Sequence, residues 1–190
     1  MPSLVLLSGS LRRESLNTRL ARNLADLAPA DCRCELMTPA GIPLYDGDAE
    51  AADGVPEAVE RLKDAVAAAD GLVLITPEYN QGIPGVLKNT IDWMSRPPGD
   101  RERVFDGRPV AVCGATPGGA GTRTAQNAWL PVLRGLGMQF WAGGSLFVPG
   151  AGRAFDDGGK LADDDLRRRA ADFIAGFGAW AARQQSLAVR

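Results

Sequence analysis

Residues 9 to 18 read Gly9-Ser10-Leu11-Arg12-Arg13-Glu14-Ser15-Leu16-Asn17-Thr18, which sets hydroxyls, an amide and a guanidinium ahead of an apolar-periodic segment. Exposed N–H groups at a helix start carry partial positive charge, Ser and Asn donate hydrogen bonds, and Arg adds a charge-assisted contact. The combination suits a phosphate dianion, with Ser10, Arg12, Ser15, Leu16, Asn17 and Thr18 as candidate contacts. A single phosphate is favoured over a pyrophosphate, because the dinucleotide fingerprint needs three glycines and this run offers only Gly9. The plainer reading, that Ser15 or Asn17 only caps a helix, stays open beside it.

Two further runs have unusual compositions. Thr76-Pro77-Glu78-Tyr79-Asn80-Gln81-Gly82 places an aromatic face beside amide groups on a loop stiffened by Pro77. Such a loop can border a flat heteroaromatic ring, with Tyr79 packed near the ring and Asn80 bonded to its polar edge. Glu78 serves either that site or a subunit contact, and the whole run can also be a simple turn. Thr116-Pro117-Gly118-Gly119-Ala120-Gly121 lets backbone approach a ligand closely and can flank the ring's other side.

The elements that must position these loops follow from periodicity. Leu4 to Leu7 is a continuous apolar run, expected of a strand covered on both faces. Leu16, Leu20, Leu24 and Leu27 mark a helix that stops at Ala28-Pro29, and Cys32, Cys34 and Leu36 alternate as a strand nearer the edge. Pro39 to Gly54 reads as loop, Val55 to Ala69 as a helix, and Leu72 to Ile75 as a third strand. A helix from Pro84 carries Leu87, Ile91 and Met94 and ends at Pro97-Pro98, before a fourth strand at Val110 to Cys113. Ala125, Trp129, Val132, Leu133 and Leu136 mark the next helix. A fifth strand within Gln139 to Val148 is interrupted at Gly143-Gly144, and a last helix from Asp163 ends in a polar tail.

Strands alternating with amphipathic helices require right-handed crossovers and a parallel sheet covered on both faces. The expected fold class is therefore α/β, a doubly wound five-stranded parallel sheet in the flavodoxin-like order 2-1-3-4-5, with residues 1–190 as one domain. Ligands of such sheets bind beyond the carboxyl ends of the strands, where the strand order reverses. The three loops follow strands one, three and four, and so belong to one crevice.

The bulk composition narrows the chemistry. The 190 residues carry a net charge of −2, which offers no positive field for nucleic acid or an acidic membrane surface. No apolar run is long enough to span a bilayer, and the start lacks a basic region with a long apolar core, so a cytoplasmic protein is expected. Histidine is absent, which removes the commonest metal ligand and the commonest proton-transfer residue near neutrality. Cys32, Cys34 and Cys113 suggest neither zinc nor disulfides, and Cys113 reads as a buried structural thiol. Trp93 and Trp129 are core residues or interface anchors. Arg101 and Arg103 are candidates for a nucleotide 2′-phosphate, set against the commoner solvated role.

With these residues in view the chain resembles the NADPH-dependent FMN reductase family, a flavodoxin-like group that includes quinone, chromate and azo-dye reductases. The resemblance rests on Gly9-Ser10-Leu11-Arg12 with Ser15 and Asn17, and on Pro77-Glu78-Tyr79-Asn80. It also rests on Leu87 to Trp93 with Ser95-Arg96-Pro97, and on Phe155-Asp156 to Asp165. It implies non-covalent FMN, NADPH or NADH as co-substrate, and a homodimer or dimer of dimers with each flavin near a subunit boundary. The activity it implies is oxidoreduction from the nicotinamide nucleotide through FMN to a quinone, chromate, azo compound or free flavin. The alternative is a flavodoxin-like FMN electron carrier without its own nicotinamide site, against which the weak net charge argues mildly.

Overall fold

The computed structural model describes residues 1–188; Val189 and Arg190, the last of the expected domain and its polar tail, lie outside the described residues. The elements run β1 (Ser3–Ser8), α1 (Leu16–Leu27), β2 (Arg33–Met37), α2 (Gly47–Asp53), α3 (Glu57–Ala68), β3 (Gly71–Ile75), α4 (Gly85–Met94), α5 (Asp100–Val104), β4 (Pro109–Ala115), α6 (Arg123–Gly135), β5 (Gln139–Phe140), β6 (Leu146–Val148) and α7 (Asp164–Ala188). The sheet is parallel throughout, in the order β2-β1-β3-β4-β5, with β6 also on β4. This is the expected flavodoxin-like order.

The central strands are apolar on both faces because each face is covered. Leu4 and Leu6 of β1 join α1 and α7 in one core, whereas Val5 and Leu7 join α3, α4 and α6 in the other. That alternation sends successive side chains to opposite helical layers.

The fifth sheet position holds two short strands instead of one. β5 pairs with the start of β4 at Pro109 and Val110, and β6 pairs with its end from Cys113 to Ala115. Between them Trp141 turns its indole into the core against Phe173 and Phe177, at centroid distances of 5.4 and 5.7 Å. The chain then wraps the ring so closely that a Cβ on Gly143 or Gly144 would lie 2.5 or 2.8 Å from it. The break anticipated at Gly143-Gly144 is thus the consequence of burying Trp141.

Two helices occur where the sequence pattern predicts loop. In α2, Asp46 caps the start by accepting from Asp48 N at 2.9 Å, but no residue of the helix is buried, so it has no apolar stripe to read. In α5, Val104 anchors the helix in the core while Asp100 and Arg103 are held by charge. Lys63 of α3 has a fully buried side chain whose Nζ donates to Glu60 Oε1 at 2.7 Å and to the Arg96 carbonyl at 2.9 Å, and ion-pairs with Asp100 Oδ2 at 2.5 Å. All three ammonium protons therefore have partners. Arg103 adds contacts to Asp64 at 2.8 Å and Asp100 at 3.4 Å, so this guanidinium is committed to carboxylates and not to a nucleotide phosphate. Trp93 and Trp129 are both core residues, 1% and 0% exposed.

Lys63 holds the Asp100 carboxyl below the usual carboxylate range. A carboxyl lowered in the folded state contributes stability above about pH 3.9, its unfolded value, and that contribution fades as the pH falls through the folded value. Replacing Lys63 with Met should cost about 2 kcal/mol near neutrality, less than for a fully enclosed pair because Asp100 is partly exposed. Urea unfolding should show this loss at about pH 7 and a smaller loss at about pH 3.

Candidate functional site

The carboxyl ends of β1, β3 and β4 open into a cleft lined by Ser10, Arg12, Ser15, Leu16, Asn17, Pro77, Glu78, Tyr79, Ala115, Thr116 and Pro117, enclosing about 350 Å³ of unfilled space open to solvent. Ten of the fourteen candidate residues meet there. Thr18, Asn80, Gly118 and Gly119 are not among its lining.

The first loop leaves β1 at Gly9, whose N–H donates to the Ile75 carbonyl at 2.9 Å. A Cβ on Gly9 would stand 2.6 Å from Leu87 Cδ2 and 3.0 Å from Pro77 Cδ, so the loop packs tightly on α4 and on the second loop at this glycine. Ser15 then caps α1, its Oγ accepting from Thr18 N at 3.1 Å. Both readings of Ser15 therefore hold in one residue, because a capping hydroxyl still has its own proton to donate into the cleft. The backbone N–H groups of Leu16 and Asn17, at the first two helical positions, have no acceptor among the described residues. Arg12 is exposed, and its guanidinium has no carboxylate partner among the described residues.

Two candidate donors have partners within the fold. The Asn17 amide donates to the Ala115 carbonyl and accepts from the Ala115 N–H, both at 2.9 Å and both buried. This clasp ties α1 to β4 and leaves the second amide proton and the backbone N–H of Asn17 without an acceptor among the described residues. Thr18 pairs its hydroxyl with Ser8 Oγ at 2.8 Å beneath the loop. Ala115, absent from the candidate set, lines the cleft; its place at the end of β4, level with the other two strand ends, is the signal that could have included it.

The second loop is fastened to α6 at two points. Thr76 Oγ1 accepts from Trp129 Nε1 at 3.2 Å, and Glu78 Oε2 accepts from Ala125 N at 2.9 Å. A carboxylate at the third position of a helix satisfies an orphan donor and the helix dipole together. Glu78 thus lines the cleft and caps α6, a role its neighbours in sequence could not disclose. Tyr79 and Gly82 exchange backbone bonds at 3.2 and 3.0 Å around Asn80 and Gln81, whose φ values are 51° and 60°. Two left-handed corners define a tight hairpin turn of the primed type. Asn80 forms its first corner, is exposed and does not line the cleft, while Tyr79 stays in the cleft wall at 47% exposure.

The third loop is laced to the segment after β6. Thr116 N donates to the Val148 carbonyl at 3.1 Å, Ala151 N to the Thr116 carbonyl at 2.9 Å, and Gly150 N to the Gly118 carbonyl at 3.0 Å. Gly118 and Gly119 are exposed beyond the cleft wall. Beneath this loop Cys113 is fully buried, and burial pushes its thiol up, in keeping with a structural role.

The donor set fits a phosphate carried by a planar group: two unpaired helix N–H groups, two serine hydroxyls and one free guanidinium at one end, and a tyrosine with loop backbone at the other. The chain matches the family described as NADPH-dependent FMN reductase over residues 2–152. It belongs to that family. An NAD(P)H-dependent FMN reductase of Pseudomonas aeruginosa is 40% identical over 93% of this chain and 94% of its own. A 2-hydroxy-1,4-benzoquinone reductase of a Burkholderia species is 37% identical over 90% of this chain and 92% of its own. Among solved structures, FerB, a flavoenzyme NAD(P)H:(acceptor) oxidoreductase from Paracoccus denitrificans, superposes with a TM-score of 0.86 at 32% identity, covering 97% of this chain and 99% of that one.

The Asn17 clasp makes a separable prediction. Asn17→Ala leaves a buried N–H and C=O of Ala115 without partners, so the flavin-free protein should lose about 2 to 3 kcal/mol in urea unfolding. A loss confined to flavin binding, with stability unchanged, would show that the amide acts only on the ligand.

Proposed function

We propose that the cleft holds FMN with its phosphate at the N-terminus of α1 and its ring along Tyr79 and the third loop, and that this chain oxidises NADPH or NADH and reduces a small acceptor of the quinone class. The observation that carries the reading is the pair of unpaired N–H groups at Leu16 and Asn17, set among Ser10, Ser15 and Arg12. Backbone donors at a helix start favour an anion, and Arg12 adds a charge-assisted hydrogen bond.

When bound, FMN supplies the redox chemistry, taking a hydride from the nicotinamide nucleotide and passing two electrons to the acceptor. The chain's task is then to bind and orient, which agrees with a polypeptide that contains no histidine. Tyr79, half exposed, leaves room beside the ring for the nucleotide and the acceptor to occupy one pocket in turn.

No helix among the described residues is long and apolar enough to cross a membrane. We place the protein in the cytoplasm as a homodimer or dimer of dimers, supported by the exposed Leu11 and Tyr79 near the cleft, apolar surface that a second copy can cover.

Anaerobic mixing of the FMN-loaded protein with NADPH or NADH should bleach the flavin without any added reductase, and a quinone should restore the colour. Failure to bleach with either nucleotide would select the electron-carrier alternative. Arg12→Ala should weaken FMN binding about tenfold or more in a fluorescence titration of the flavin-free protein. Unchanged affinity would remove Arg12 from the phosphate site.

A further inference from the structure

Cys32 and Cys34 sit at the opposite end of the sheet from the cleft, at and just before the start of β2. Two residues apart on an extended strand, their side chains leave on the same face. β2 is the edge of the sheet and pairs with β1 alone, with Ser3 opposite Arg33 and Leu4 opposite Cys34. Both thiols are free and half-buried, and they rest against the core between β1, α1 and α7. Facing them, α7 presents Gly178, where even a single added Cβ would stand 3.3 Å from Cys32 Sγ.

The geometry favours bridging over direct oxidation. Cα atoms two residues apart in a strand are separated by about 6.5 Å, at the upper end of what a disulfide spans. Among the described residues no cluster of three or more His, Cys, Asp or Glu side chains is placed to hold a metal ion, so the four ligands that zinc requires are not present. Two sulfurs alone suit a soft centre.

We propose that Cys32 and Cys34 form a dithiol site for a soft thiophilic centre that takes two sulfurs, of the class of a monosubstituted trivalent arsenical. Capture proceeds without any change of oxidation state: two As–S bonds form, the arsenic–oxygen bond breaks, and both thiol protons leave with that oxygen as one water. The bridge spans the edge strand without moving its pairing to β1. Cys113, buried under the cleft, takes no part.

The test uses the FMN-loaded protein and phenylarsine oxide. Intact-mass spectrometry should show a single arsenical adduct that survives excess monothiol and is removed by a dithiol, and peptide mapping with iodoacetamide should find Cys32 and Cys34 protected together. Cys32→Ser and Cys34→Ser should each abolish the monothiol-resistant adduct, and Cys113→Ser should keep it. An adduct that persists in either β2 variant, or that monothiol strips from the wild type, would overturn the proposal. Should a variant fail to fold, protection of only one of the two cysteines in the wild-type map overturns it equally.

Discussion

The clasp between the Asn17 amide and the Ala115 peptide is the constraint on which the cleft depends. One side chain satisfies both polar groups of a buried peptide unit at the end of β4 and anchors the first turn of α1 to it. Buried backbone groups are strong and obligatory partners, so any displacement of α1 from β4 would expose a donor and an acceptor at once. That fixes the helix N-terminus relative to the sheet, and with it the direction in which Leu16 and Asn17 offer their N–H groups. The Thr18–Ser8 bond below and the Ser15 cap above hold the same turn from two further sides.

The second loop is governed by a different element, and this division has consequences. Trp129 and Glu78 fasten it to α6, whereas the first loop is fastened through α1. The α1 end and the Tyr79 end of the cleft are therefore fastened through separate helices. Because Glu78 neutralises the positive end of α6, that helix start is not available as a second anion site, which leaves α1 as the attractive terminus within this cleft. The hairpin at Asn80 and Gln81 accepts two left-handed residues, one of them a glutamine with little preference for that region. Its strain is tolerated because the loop below it is pinned at both of these points.

Much of this was legible before any coordinates. Continuous apolar runs at Leu4 to Leu7 and Leu72 to Ile75 identify doubly covered strands, and helical spacing locates α1, α3, α4, α6 and α7. What periodicity cannot disclose is an element without an apolar stripe, hence the absence of α2 from the reading, or a short one that buries only Val104 and is otherwise held by ion pairs, hence α5. At the site, residue types announced donors correctly but could not say which acceptor takes each of them. The Asn17 amide, the Thr18 hydroxyl and the Glu78 carboxylate each bond a partner on another element, at Ala115, Ser8 and Ala125. Ser10, Arg12 and Ser15 keep free donors because no residue in the fold competes for them.

That difference is itself informative about binding. A helix start, two hydroxyls and a guanidinium left without protein acceptors are tolerable at a surface because water satisfies them. They are assembled at low cost only if the loop geometry is set by other interactions, and here the Asn17 clasp and the Ser15 cap supply that geometry before any ligand arrives. A phosphate then exchanges with water in a preformed site instead of ordering a loose one, so little of its binding energy is consumed in fixing the loop. The ring end lacks such dense anchoring at its tip, where Tyr79 stays half exposed beside a strained turn. Rigidity is thus concentrated where the retained phosphate is proposed to sit, and openness where the co-substrates are proposed to exchange.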